Sequence, residues 1–231
     1  MRFKSFIFML VIFFSLSNIF SFSVSAKDES GVNYKNFVLD KIQKKEIIVN
    51  TNQKDLNLQD IQVNTFNEKG KKYTYITVPF SDKYSLTSNL TLVLDKNKKV
   101  LEYSEAIVTK SNKNTFDINL YKNGKLVKNE ITDFKYKNNK EIVDEVKDYK
   151  KNPEKYKKYE KGERLAAAGF GKTALCLGAV LGVDLVVAKL IAGTCVSTCG
   201  AGVVPICAAC VGGVATMGAA NIGGVIACFK A

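Results

Sequence analysis

Histidine and tryptophan are absent from this 231-residue chain, proline occurs three times, and no cysteine precedes Cys176. Without histidine there is no Ser-His-Asp or Cys-His pair and no imidazole metal site. Nor is there a side chain whose ordinary titration lies near neutral pH. These absences count against ordinary hydrolase chemistry. The lack of tryptophan removes a preferred anchor for interfaces and sugar faces, although 14 Phe and 10 Tyr remain. Acidic residues are missing regionally: residues 1–26 have none, and residues 165–231 have only Asp184.

What is present divides the chain into three compositions. With 46% hydrophobic and 24% charged residues, wholesale disorder and collagen-like repeats are excluded, and the length allows one ordinary domain or two small ones. Residues 27–164 hold 29 basic and 21 acidic side chains, which is +8 of the total +12; the flanking stretches contribute +2 each. The positive excess therefore lies mainly in the middle. On an exported chain it favours anionic wall polymers or lipid headgroups. Nucleic acid is not an expected partner, although Tyr136, Tyr149, Tyr156 and Tyr159 stand among lysines.

The N-terminus has the order of a secretory signal peptide. Arg2 and Lys4 precede an apolar stretch from Phe6 to about Phe22, and Val24-Ser25-Ala26 provides small residues for cleavage. Cleavage is expected between Ala26 and Lys27, giving a secreted product. The alternative is an uncleaved anchor, against which Ser15, Ser17, Asn18 and Ser21 dilute the apolar run.

Residues 27–131 read as a basic, strand-rich domain. Tyr73 to Val78, then Leu90, Leu92 and Leu94, then Phe116, Ile118 and Leu120 follow a period of two. Asp95-Lys96-Asn97 and Asn123-Gly124 are hairpin punctuation, so a meander of about five antiparallel strands is expected. Tyr34, Val38 and Ile42, spaced by four, fit one face of a short helix. Asp82, Asp95, Glu102, Glu105 and Asp117 are read as solvated charges on turns and outward strand positions rather than an acid/base pair. No catalytic residue, metal or cofactor is expected.

Residues 132–164, with 11 basic and 8 acidic side chains, read as a solvated helix carrying Ile142 and Val146, followed by a tether. The dense charge ends at Arg164 and an apolar segment begins at Leu165, which makes that boundary an expected processing site. Residues 27–164 are expected to fold without the segment that follows.

All six cysteines, Cys176, Cys195, Cys199, Cys207, Cys210 and Cys228, lie in that last segment, and Leu190 to Phe229 carries no formal charge. An even number of cysteines in a small exported segment indicates a disulfide framework; a four-thiolate zinc site is the alternative. Spacings of four and three place Cys195 with Cys199, and Cys207 with Cys210, on single helix faces, with turn chemistry around Pro205 between them. An antiparallel helical hairpin then predicts nested bonds: Cys199 to Cys207, Cys195 to Cys210, and Cys176 to Cys228. The expected class is α+β: a β-meander, a charged helical tether and a disulfide-stapled helical hairpin. Gly171-Lys172-Thr173 fails as a phosphate loop because the motif's first glycine would fall at Ala166.

The order of signal peptide, polar domain and Gly/Ala/Cys-rich C-terminal peptide resembles the precursors of halocin-type bacteriocins. The local likeness is Thr194-Cys195-Val196-Ser197-Thr198-Cys199-Gly200-Ala201-Gly202, followed by Cys207 and Cys228. The resemblance covers about residues 165–231, and this chain has fewer cysteines than members of that family. It implies that the C-terminal peptide is the antimicrobial and that the upstream part gives immunity or only carries it. Target-cell membrane lipids are then the expected partners, together with self-association of the peptide in the membrane and contact between the N-terminal domain and the peptide. The alternative is a cell-envelope binding protein whose β-domain recognises a wall polymer and whose apolar hairpin anchors it.

Overall fold

A computed structural model describes residues 33–68, 70–152, 185–198 and 208–216, together with Ala174, Leu177, Gly178 and Cys228. Six strands, β1 (Gln62–Glu68), β2 (Lys71–Pro79), β3 (Asn89–Leu94), β4 (Val100–Lys110), β5 (Thr115–Lys122) and β6 (Lys125–Lys135), form one antiparallel sheet. They lie side by side in chain order. Helix α1 (Tyr34–Gln43) precedes the sheet, and α2 (Asn139–Lys151), α3 (Leu185–Thr198) and α4 (Ala208–Ala215) follow it. The class is therefore α+β, with one strand more than the periodicity predicts.

Local chemistry accounts for the meander. Asn123 and Gly124 both have positive φ (49° and 78°), as a two-residue hairpin turn requires, and Asn123 Oδ1 also accepts from the Tyr103 backbone N–H at 2.9 Å. Between β3 and β4, Asp95 Oδ1 accepts from the backbone of Asn97 (2.8 Å) and Lys99 (2.9 Å). The Asp95 side chain closes the β3–β4 turn, the Asn123 side chain ties the β5–β6 turn to β4, and both connections are short.

The two leucine-rich patterns point in opposite directions. Leu90, Leu92 and Leu94 pack with Tyr34, Val38 and Ile42 of α1, as well as Ile76, Val78 and Tyr103. Phe116, Ile118 and Leu120 join Ala106 and Val108 on the other face, where Leu190 of α3 covers them. Tyr73, Tyr75 and Val93 lie on that second face too, packed with Val187, Ile191, Val211 and Val214. Both faces of the sheet are consequently buried, one by residues before it and one by residues far after it.

Helix α2 is docked rather than wholly solvated. Asn138 and Glu141 form a reciprocal capping box at its start. Asn139 accepts from the Leu86 backbone N–H (2.7 Å) and donates to the Tyr84 carbonyl (2.9 Å), while Ile142 is fully buried. β6 itself runs on to Lys135, beyond the compositional boundary at residue 132.

Glu105 and Glu102 are not outward charges. Their exposures are 1% and 4%, because β4 is central and both its faces are covered. Glu105 accepts from the backbone of Asn50 and Thr51 (both 2.8 Å) and from the Asn50 side chain, fixing the loop that closes the α1 side. Nearby, Asp55 is buried against Lys83 at 2.6 Å, and that contact holds the Asp55 carboxyl below its ordinary range while raising the Lys83 ammonium.

Candidate functional site

The sheet face beneath α3 and α4 brings together the most chemistry, and its geometry follows from strand register. Helix α4 crosses β2, β3 and β4, and α3 crosses β5 and β6. Cys195 of α3 and Cys210 of α4 are joined by a disulfide, as the nested pattern predicts. Gly213 faces Ile191 and Thr194, so the two helices run antiparallel. Cys228 is also disulfide-bonded. Cys195 and Cys210 are therefore not free thiolates for a zinc site. Cys176, Cys199 and Cys207, the signal cleavage at Ala26/Lys27 and the processing site at Arg164/Leu165 lie outside the described residues.

Under α3 the contact is apolar, with Leu190 seated among Val108, Phe116, Ile118 and Leu120. Lys128 of β6 donates to the Gly193 carbonyl at 3.5 Å, and Lys189 lies 5.0 Å from the Phe134 ring centroid.

Under α4 the sheet carries a polar ladder beside the apolar patch of Tyr73, Tyr75 and Val93. Pairing of Thr77 with Thr91, and of Thr91 with Ser104, puts three hydroxyls side by side across β2, β3 and β4. Thr91 Oγ1 donates to Asn89 Oδ1 and lies within hydrogen-bond reach of Thr77 Oγ1, both at 2.9 Å. Asn89 Nδ2 donates to the Thr87 carbonyl (2.9 Å). Ser104 Oγ is buried with no hydrogen-bond partner among the described residues. The helix meets this ladder at Gly212, where a Cβ would collide with Asn89 Oδ1 and fall 2.5 Å from Thr91 Oγ1. Only a residue without a side chain fits there.

Glu102 completes the cradle. Its Oε1 accepts from the backbone N–H of Ala208, the first residue of α4, at 3.2 Å, and its Oε2 pairs with Lys122 at 3.0 Å. A carboxylate at a helix N-terminus satisfies one of the unpaired backbone donors and complements the helix dipole. Replacing Glu102 with alanine removes the acceptor of the Ala208 N–H and the ion pair with Lys122, and is expected to cost about 1–3 kcal/mol in the full chain. Glu102→Gln keeps an acceptor for Ala208 and should cost less. Urea unfolding of both variants checks this, and equal stability of Glu102→Ala and the parent chain would contradict it.

Sequence reasoning did not find Asn89, Thr91, Glu102 or Gly212. The alternation through β3 reads as one buried and one solvated face. The available signal was the uncharged run Leu190 to Phe229, which needs some surface to cover it. Among the described residues, no helix is long and apolar enough to cross a membrane. No family model, curated protein or solved structure matches the chain.

Proposed function

We propose that this chain is a secreted bacteriocin precursor, in which a basic β-meander and its charged helical tether hold an apolar, disulfide-stapled hairpin until it is released. Cleavage after Ala26 would accompany export, and release would follow cleavage between Arg164 and Leu165. The single observation that carries the reading is the chemistry of the cradle: an uncharged helix rests on Thr77, Asn89, Thr91, Ser104 and Glu102. A permanent core would place aliphatic side chains there. Hydroxyls, an amide and a carboxylate regain water when uncovered, which offsets part of the cost of exposing Tyr73, Tyr75 and Val93 when the helix leaves.

Release changes the burden on the hairpin. Attached, it is accompanied by 29 basic and 21 acidic side chains; free, it carries three lysines and one aspartate. Such a peptide favours anionic headgroups, and its Gly/Ala faces permit close helix association within lipid. Target-cell membrane lipids and other copies of the peptide are the partners in this reading.

Dye release from anionic vesicles tests it, with the full exported chain, the oxidised 165–231 peptide and the reduced peptide compared at equal concentration. The oxidised peptide is expected to release dye and the full chain to release little. Equal release by both, or full-length protein accumulating in the producer's membranes, would favour the envelope-anchor reading.

A further inference from the structure

β6 is the last strand of an open sheet, and the hairpin turn at Asn123-Gly124 leaves its outer side without a strand partner among the described residues. Among the described residues, three of the four exposed large hydrophobics, Leu126 (54%), Val127 (45%) and Ile131 (48%), are on it. A long open edge with apolar side chains is a template for another strand.

The order of side chains along β6 specifies which strand. Place a second copy antiparallel to the first, with a two-fold axis through Asn129. Lys128 then lies opposite the partner's Glu130, within the stretch Lys128–Ile131 whose pairing with β5 is regular; register shifts at Val127 and beyond Ile131 bound that stretch. Both charges of that regular stretch meet their opposite sign, and symmetry repeats the pair. Centring the axis on Glu130 instead opposes two like charges and sets Ile131 against an asparagine, so charge selects the Asn129 register. Within one chain Lys128 and Glu130 are already 2.5 Å apart, on the face turned toward α3. The second copy extends that pair into a network of four charges.

We propose that the precursor dimerises through antiparallel pairing of β6 with β6 of a second copy, making one continuous twelve-stranded sheet (twice the six strands of one copy). The C-terminal helices α3 and α4 lie on the sheet's face rather than on this edge, so the dimer forms with the hairpin in place.

Sedimentation velocity of the full exported chain over a concentration series reads the proposal. The parent chain is expected to shift from monomer to dimer as concentration rises. Glu130→Lys should weaken the dimer by about tenfold or more, since it turns two attractive cross-strand pairs into repulsive ones. The double change Lys128→Glu/Glu130→Lys restores opposite signs and should recover the dimer. That recovery separates lost pairing from lost folding. A parent chain that stays monomeric at all concentrations, or a dimer that Glu130→Lys leaves intact, overturns the proposal.

Discussion

A chain ending at Arg164 is expected to keep its six-stranded sheet, to lose on the order of 5 kcal/mol of stability, and to bind a hydrophobic dye that the full chain excludes. Retention follows from the α1-side core, whose buried members all precede Ser104 in sequence and need nothing from the C-terminus. The loss follows from the other face. Leu190 leaves Val108, Phe116, Ile118 and Leu120, while Val187, Ile191, Val211 and Val214 leave Tyr73, Tyr75 and Val93. Burying one such side chain contributes about 1.5–3 kcal/mol, and the polar ladder under α4 returns part of the cost as hydration. Residues 27–164 are thus expected to fold without the C-terminal segment, but less stably than the full chain. Urea titration of the truncated and full chains measures the difference, and adding oxidised 165–231 peptide should restore much of it. Equal stability of the two chains would mean the docked helices contribute nothing. An unfolded fragment would mean the hairpin cannot be released from a surviving scaffold.

Two adjacent glycines of α4 should respond oppositely to the same change. Gly212→Ala drives a methyl group into Asn89 and Thr91, which are held in place by their own hydrogen bonds, and should destabilise docking of α4 by about 1–3 kcal/mol. Gly213→Ala meets Ile191 and Thr194 at 3.7 Å, an ordinary contact, and alanine favours the helix by up to about 1 kcal/mol over glycine. The full chain carrying Gly212→Ala should be cleaved faster by added protease and release more vesicle dye, whereas Gly213→Ala should match the parent chain or resist better. The isolated peptide carrying Gly212→Ala should remain as active as the parent peptide. Similar behaviour of the two variants would show that α4 does not rest on the Asn89–Thr91 ladder.

The local features of the fold were legible because they depend on near neighbours. The period of two marked the strands, Asn123-Gly124 and Asp95 marked the turns, and Tyr34, Val38 and Ile42 marked the buried side of α1. Cysteine spacing on two helices predicted the Cys195–Cys210 bond, since residues three or four apart share a helix face and an antiparallel hairpin brings those faces together. The carboxylates were misread for the complementary reason. Glu102 and Glu105 look solvated in a lysine-rich sequence, and nothing near them in the chain announces that β4 is covered on both sides. Burial of Glu102 depends on Ala208, 106 residues away, and the fit of Gly212 depends on Asn89. Sequence by itself determined most of the strands and turns, the division of charge along the chain and the need to cover an apolar segment. Only the tertiary structure decided what covers it, because a side chain's partners across a sheet face are set by register and docking, which no local pattern encodes.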